Sequence, residues 1–170
     1  MIVIVFGLPG SGKSYFASRF AKVINAEYIN SDRVRKEMFQ KRVYSDEEKK
    51  AVYDKMLERM KESVKQKRDV VLDGTFHKKD TRKIFVEEMK GKGGILFIEI
   101  QADENIIMER LKKERPYSEA DFEVYKLIGL QNEPLNEPHL VLKSTDNNID
   151  EMLLKASDYL KIKNDNRTYQ

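Results

Sequence analysis

The sequence predicts an α/β fold in which a five-stranded parallel sheet is flanked by helices. Short apolar runs of strand length alternate along the chain with longer segments whose apolar residues recur at helical spacing. The short runs are continuously apolar, whereas a strand with one face in water alternates apolar and polar residues. Continuous runs are typical of a parallel sheet covered on both faces by crossover helices. Ligands of such sheets collect at the carboxyl ends of the strands.

Five apolar segments have the length of strands. The first opens the chain and is followed at once by a glycine-rich segment. The others are bounded by polar or glycine-rich residues, which are typical of turns and helix starts. The predicted strands are residues 2–6, 27–30, 70–72, 95–100 and 139–142.

The segments between the strands have helical periodicity. The first helix begins near Lys13, because Phe16, Phe20, Val23 and Ile24 then fall on one helical face. Two further helices begin near residues 32 and 149, and two others span 45–67 and 81–89. Another runs from residue 103 to a break at Pro116. The remaining helix spans 118–131, with a capping box formed by Ser118 and Asp121 at its start.

Composition restricts the classes of protein that fit. A chain of 170 residues suits one domain, which we expect over residues 1–163, followed by a polar tail over 164–170. With 40% hydrophobic and 36% charged residues, the chain is too apolar to be disordered and too charged to be a membrane protein. There is no cysteine, which excludes disulfides, thiolate metal sites and a cysteine nucleophile. We therefore expect a cytoplasmic protein with no membrane partner. The net charge of +3 does not restrict the class of protein further.

A phosphate-binding loop follows the first strand. Gly7 to Ser14 match the pattern G-x-x-x-x-G-K-S between a strand and a helix. In such loops backbone N–H groups surround phosphate oxygens, the lysine binds the β and γ phosphates, and the hydroxyl binds Mg²⁺. We expect ATP to be bound here by Gly7, Pro9, Gly10, Ser11, Gly12, Lys13 and Ser14, with Ser14 as the metal ligand.

Three other nucleotide-binding classes fit less well. A dinucleotide-binding loop needs a third glycine where this chain has Tyr15. A GTPase would carry an N-K-x-D guanine motif, and the nearest segment, Asn147 to Asp150, lacks the lysine. A mechanical ATPase usually has a larger domain and two consecutive acids after the third strand, where only Asp73 is present. The pattern therefore favours a kinase.

Two further strand ends carry acids. Asp32 follows the second strand and faces the loop across the predicted cleft, where it could accept a proton from an attacking hydroxyl. The alternative is that Ser31 or Asp32 only caps the next helix. Arg35 lies three residues on and is a candidate for binding an anionic substrate group, although a structural role fits as well. After the third strand, the candidate substrate-binding residues are Asp73, Thr75 and Arg82.

Several motifs together resemble a known family. The segments GLPGSGKS, NSDRVRKEMF, VYSDEEKKAVYDKM, DVVLDGTFHKKDTRK and ERLKKERPYSEAD resemble the small P-loop kinases often described only as predicted kinases. Their relatives include phage-type polynucleotide 5′-kinases, gluconate kinases, chloramphenicol phosphotransferases and zeta toxins. The resemblance spans about residues 1–145. It implies an adenylate-kinase-like P-loop NTPase fold with a helical lid over about residues 103–131.

The resemblance also implies residue roles. Lys13 and Asp32 would be catalytic, with Asp32 as the general base. Arg110 would be a catalytic lid arginine that also contacts ATP. Where the phage-type lid places a second arginine four residues later, this chain has Glu114, so we assign the neighbouring Arg115 to ATP instead. Thr145, after the fifth strand, would lie near adenine.

The predicted function is transfer of the γ-phosphate of ATP to a hydroxyl, with Mg²⁺ as cofactor. A small-molecule acceptor ranks above the 5′-hydroxyl of a nucleic acid, because the basic residues are scattered instead of forming a stripe studded with aromatic residues. The alternative is an ATP-binding regulatory module that transfers no phosphate. The two differ in whether Asp32 is required for turnover.

Overall fold

The fold is a five-stranded parallel sheet with helices on both faces. The computed structural model describes residues 1–113 and 118–168, with side chains described as far as residue 161. The strands are β1 (Ile2–Phe6), β2 (Glu27–Asn30), β3 (Val70–Asp73), β4 (Ile95–Gln101) and β5 (Leu140–Lys143). The helices are α1 (Lys13–Val23), α2 (Ser31–Met38), α3 (Asp46–Lys65), α4 (Lys79–Met89), α5 (Glu104–Leu111), α6 (Phe122–Leu130) and α7 (Ile149–Thr168).

The order of the strands determines which loops meet. The order is β2-β3-β1-β4-β5, and every pair is parallel. In this register Val5 and Asn30 lie on either side of Asp73. The loops that follow β1, β2 and β3 therefore leave the same edge of the sheet side by side. This arrangement confirms the predicted fold class.

The alternation of side chains along β1 divides the core into two layers. Ile2, Ile4 and Phe6 pack in one layer with residues of α3 and α4. Val3 and Val5 point the other way, into a layer formed with α1 and α7. Burial on both sides explains why the strand sequence is apolar throughout.

Several helix boundaries differ from the sequence prediction. Helix α4 begins at Lys79, two residues before the predicted start, and α5 ends at Leu111, before the predicted break at Pro116. Helix α6 begins at Phe122, because Asp121 is its N-cap and accepts a hydrogen bond from the Val124 N–H at 2.9 Å. The capping box predicted at Ser118 is therefore wrong. Helix α7 continues to Thr168, so the residues just after 163, which we expected in a tail, are helical. No helix in the described part of the chain is both long and apolar enough to cross a bilayer.

Truncating Phe20 tests the α1 layer of the core. Phe20 is fully buried and stacks on Phe16, with ring centroids 5.3 Å apart. We expect Phe20→Ala to lower the free energy of unfolding by about 3–5 kcal/mol, because it leaves a cavity under α1. Urea unfolding measures the change. Val23→Ala is the control on the same helix, since Val23 is 57% exposed. Equal losses in both variants would contradict this packing.

Candidate active site

Two positions of the phosphate loop have no room for a side chain and therefore require glycine. Gly12 is the N-cap of α1 and has φ +93°, a conformation that favours glycine. A Cβ there would lie 2.8 Å from Ser144 Oγ, and one at Gly7 would lie 2.3 Å from the Ile100 carbonyl oxygen. Gly12, as the N-cap, has no side chain to cap the first turn of α1. The positive end of the helix dipole at this turn favours an anion.

The two functional side chains of the loop begin α1. The Lys13 ammonium donates to the Leu8 carbonyl at 3.3 Å, which holds it over the loop. The Ser14 hydroxyl accepts a hydrogen bond of 3.5 Å from the Asn30 amide. Ser14 thus lies next to the polar group at the end of β2.

Asp73 is fully buried beside Ser14. Its Oδ2 accepts hydrogen bonds of 2.6 Å from both the Tyr28 hydroxyl and the Asn30 amide. Burial, together with the charge of Asp73, raises the pKa of Tyr28 above its usual value, so the phenol stays protonated and donates. Within the described structure, Asp73 Oδ1 has no hydrogen-bond partner. An unsatisfied carboxylate oxygen near Ser14 fits a magnesium ion or one of its water ligands.

Asp32 does not cap α2. The N-cap is Asn30, whose side-chain oxygen accepts from the Arg33 N–H at 2.9 Å. The capping alternative for Asp32 is therefore wrong, and its carboxylate lines the cleft that contains the phosphate loop. Arg35 Nη1 lies 3.0 Å from Asp32 Oδ1. Arg35 is only 7% exposed, so its guanidinium faces protein groups.

The cleft has a volume of about 760 Å³ and runs from Asp32, past the phosphate loop, to the start of α7. Gly10, Gly12, Lys13 and Ser14 lie along its floor. At the far end it is lined by Thr145, Asn148, Ile149 and Met152. A cleft of this volume is large enough for a nucleotide.

Arg110 crosses the cleft from α5. Its Nη1 donates to the carbonyls of Gly10 and Ser11 at 3.4 and 3.2 Å and to Ser144 Oγ at 3.1 Å. Its Nη2 donates to the Thr145 carbonyl at 3.0 Å and to the Asp146 carboxylate at 3.2 Å. Arg110 therefore links the phosphate loop to the β5–α7 loop.

The family resemblance implied that Arg110 and Thr145 contact the nucleotide, and both residues line the cleft. The catalytic role of Arg110 stays a prediction. Lys113, two residues after the end of α5, also lines the cleft. Arg115 lies outside the described residues.

The structure does not bring Arg82 to the cleft. This residue is 3% exposed and donates to the Phe76 and Glu133 carbonyls, both at 2.7 Å, and to the Pro134 carbonyl at 3.3 Å. These bonds attach the loop after β3 to the segment after α6. Arg82 therefore has a structural role, and its assignment to substrate is wrong.

Thr75 lies on the same loop and contacts two polar groups. Its hydroxyl is 3.3 Å from the Tyr53 hydroxyl and 3.2 Å from His77 Nδ1. A position at the end of β3 is compatible with the predicted contact to substrate. That contact stays a prediction.

Sequence reasoning missed three residues of the site. Tyr28 and Asn30 are two residues apart in β2 and so lie on the same face of the strand. Only the pairing of Asn30 with Asp73 shows what they contact. Glu48 is 5% exposed and lies 2.9 Å from Arg35 Nε. Its position three residues after Ser45 signalled only a helix start.

Comparisons with known proteins agree with this geometry. A family model described as an AAA domain matches residues 2–128. No curated protein matches the chain. A sugar kinase from Janibacter sp. (unliganded) is similar in structure, with 17% identity, a TM-score of 0.73, and coverage of 95% of this chain and 94% of that chain.

Two more solved structures are similar over nearly their whole length. A gluconokinase from Sinorhizobium meliloti has 17% identity, a TM-score of 0.68, and coverage of 94% of this chain and 95% of that chain. An APS kinase from Mycobacterium tuberculosis, in complex with AMPPNP and APS, has 16% identity, a TM-score of 0.69, and coverage of 94% and 96%. At these identities the likeness shows a shared fold, which is that of the small P-loop kinases.

The ionisation of His77 tests the surroundings of the β3–α4 loop. Burial, followed by the positive charges of Lys78 and Lys49, lowers the pKa of His77 from 6.5 to about 4. Between these two pH values the unfolded chain binds more protons than the folded chain. The free energy of unfolding therefore decreases as pH falls from 6.5 towards 4. We expect the C2–H NMR signal of His77 to titrate near pH 4.

The NMR assignment and a second readout come from two variants. His139→Asn leaves His77 as the one histidine of the chain and identifies its signal. His77→Asn removes the titrating group, so its free energy of unfolding should fall less than that of the wild type between neutral pH and about pH 5. A His77 midpoint near 6.5 would contradict the burial of this loop.

Proposed function

Because this chain belongs to the AAA domain family whose model spans residues 2–128, we propose that it is an ATP-dependent phosphotransferase with a hydroxyl acceptor. The observation that carries the proposal is the position of Asp32. Its carboxylate lines the same cleft as Lys13 and Ser14, and the N-cap of α2 is Asn30 and not Asp32. The kinases among the structural neighbours share this fold and support the reaction class.

ATP would occupy the cleft with its phosphates on the loop. The N–H groups of the phosphate loop and of the first turn of α1 would bind the phosphate oxygens, and the helix dipole adds positive potential there. The Lys13 ammonium would move to the β and γ phosphates, because their negative charge attracts it more strongly than the neutral Leu8 carbonyl does. Arg110 and Thr145 would contact the adenosine end of the nucleotide.

Ser14 and Asp73 fit a magnesium ion that accompanies ATP. The Ser14 hydroxyl is a hard oxygen ligand, and Asp73 Oδ1 is a buried carboxylate oxygen with no hydrogen-bond partner in the described structure. When bound, Mg²⁺ supplies positive charge to the phosphate oxygens. Tyr28 and Asn30 hold the Asp73 carboxylate in a single orientation.

Asp32 would act on the acceptor at the other end of the phosphates. Its carboxylate accepts the hydroxyl proton as the acceptor oxygen bonds to the γ-phosphorus. The bond between that phosphorus and the β–γ bridging oxygen breaks, and ADP leaves with the electron pair. The Lys13 ammonium stabilises the negative charge on the transferring phosphoryl group.

The second candidate is an ATP-binding module without transfer. The same phosphate loop and the same contacts of Arg110 would serve it equally well. What favours the kinase is a carboxylate in the cleft that performs no capping role.

The Asp32→Asn variant separates the two candidates. A kinase should lose transfer by roughly 10²–10⁴-fold, because the amide cannot take the proton. ATP affinity should stay unchanged, since Asn keeps the hydrogen bond to Arg35. Calorimetry measures ATP binding, and labelled ATP with mixed hydroxyl metabolites and 5′-hydroxyl oligonucleotides measures transfer.

The control for that experiment is Asp46→Asn. Asp46 is 93% exposed and pairs only with its neighbour Lys49 in the contacts seen, so the variant makes the same charge change away from the cleft. Transfer that survives in Asp32→Asn would exclude Asp32 as the base. Wild-type protein that binds ATP but labels no acceptor favours the regulatory module.

The Ser14→Ala variant tests the proposed metal site. Mg²⁺ should strengthen ATP binding by the wild type, and this gain should shrink by at least about tenfold in the variant. Calorimetric titrations of ATP with and without Mg²⁺ give both values. Ser157→Ala is the matched control, because its hydroxyl binds the Leu153 carbonyl within α7. An unchanged Mg²⁺ dependence in Ser14→Ala would show that the ion binds elsewhere.

A further inference from the structure

A set of contacts joins the segment before α6 to the loop between α2 and α3. The Glu119 carboxylate accepts a hydrogen bond of 3.1 Å from the Tyr44 hydroxyl and also pairs with Arg42. Ser118, the residue before Glu119, lines the cleft that contains the phosphate loop. We call the side chains of Glu119, Arg42 and Tyr44 the cleft bridge, because they tie one wall of the cleft to the loop that follows α2.

Tyr44 also lies over the Arg35 guanidinium. The central carbon of this group is 4.9 Å from the centre of the Tyr44 ring, a favourable distance for a cation–π contact. The Tyr44 backbone has φ +56°, which is uncommon for a bulky residue. Glu48 supports this conformation, because its Oε2 accepts from the Val43 and Tyr44 N–H groups at 2.7 and 3.1 Å.

Arg35 connects this arrangement to the proposed base. Its Nε lies 2.9 Å from Glu48 Oε1, and its Nη1 lies 3.0 Å from Asp32 Oδ1. Asp32 has further interactions, so Arg35 is one of the groups that orient its carboxylate. Such pairs weaken when water reaches them. Because the half-buried Tyr44 ring lies on the guanidinium, it helps to keep water from Arg35, which is 7% exposed.

The Glu119 carboxylate holds the Tyr44 side chain in this place. Burial, followed by the hydrogen bond to Glu119, raises the pKa of Tyr44, so its hydroxyl stays protonated and donates. The same carboxylate pairs with Arg42, two residues earlier on the loop. Without Glu119, the gain in side-chain entropy would favour rotation of the ring into water.

From these contacts we propose that Tyr44 is a positioning residue for Asp32. The cleft bridge holds the Tyr44 ring on Arg35, and Arg35 helps to hold the Asp32 carboxylate where it can accept the acceptor proton. The inference rests on the proposed function. Among the described residues that line the cleft, neither Tyr44 nor Glu119 is present, so both act on the reaction through Arg35.

Removing the Glu119 carboxylate tests the proposal by turnover. In Glu119→Ala, kcat for transfer to the acceptor that labelled ATP identifies should fall by about tenfold, because the base is less well oriented. The KM for ATP should stay unchanged, since the phosphate loop is intact. Glu123→Ala is the matched control on α6, because Glu123 is 81% exposed and pairs with Lys126 on the same helix. Its kcat and KM should equal those of the wild type.

Tyr44→Phe tests the route through Tyr44. The variant keeps the ring on Arg35 and loses only the hydroxyl contact with Glu119, so kcat should fall by about threefold. In the Glu119→Ala background the same change should have little further effect, because the contact that it removes is already absent. An equal loss in both backgrounds would overturn the coupling of Tyr44 to Glu119.

Hydrogen exchange of the Arg35 Nε–H tests the cleft bridge without turnover. NMR follows this signal, and its absence in Arg35→Lys identifies it. Exchange should be slow in the wild type and in Glu123→Ala, and at least about tenfold faster in Glu119→Ala, where the ring no longer excludes water. Because Glu119 is 52% exposed, its truncation should leave the fold intact.

The two measurements separate this inference from the proposed function. Unchanged exchange in Glu119→Ala overturns the cleft bridge. Faster exchange with unchanged kcat overturns the positioning of Asp32, as does a raised KM for ATP at constant kcat, and in each case the proposed transferase stands. If the wild type labels no acceptor, the proposed function fails, and the exchange rates alone decide whether the cleft bridge protects Arg35.

Discussion

The Asn30 amide connects three parts of the site. Its oxygen caps α2 through the Arg33 N–H, while its nitrogen donates to Asp73 and reaches Ser14. Because Asn30 is only 5% exposed, an unmet hydrogen bond there would cost about 1–3 kcal/mol. These bonds hold the β3 acid beside the phosphate loop, and they leave the Asp32 carboxylate free of capping. The acceptor side and the nucleotide side of the cleft are aligned through this one side chain.

The sequence predicted best those features of the structure that depend on residues close together in the chain. The phosphate loop was found because its spacing is a property of eight consecutive residues, Gly7 to Ser14. Strand β1 and the start of β3 were found because burial on both faces of the sheet leaves them continuously apolar. The cap of α2 was missed because Asn30, Ser31 and Asp32 are all good capping residues. The choice among them follows from the pairing of β2 with β3, which places Asn30 beside Asp73.

The contacts of the arginines are harder still to predict from the sequence, because a long side chain reaches partners far away in the chain. Arg82 bonds to the carbonyl of Glu133, and Arg110 to those of Gly10 and Ser11. Arg35 is paired with Glu48, which lies on the next helix. In the sequence each of these residues is a cation on a helix that follows a strand, so each was a reasonable candidate for binding an anionic ligand. Only the tertiary structure distinguishes Arg110, which lines the cleft, from Arg82, which is buried beneath a loop.

Positive charge lines the part of the cleft at the phosphate loop. Lys13, Lys113 and the start of α1 present positive potential there, and carbonyls hold Arg110 beside them. Asp32 lines the same cleft and carries the opposite charge. The phosphates of a nucleotide are therefore drawn to the loop and not to the carboxylate that would accept the proton of the acceptor.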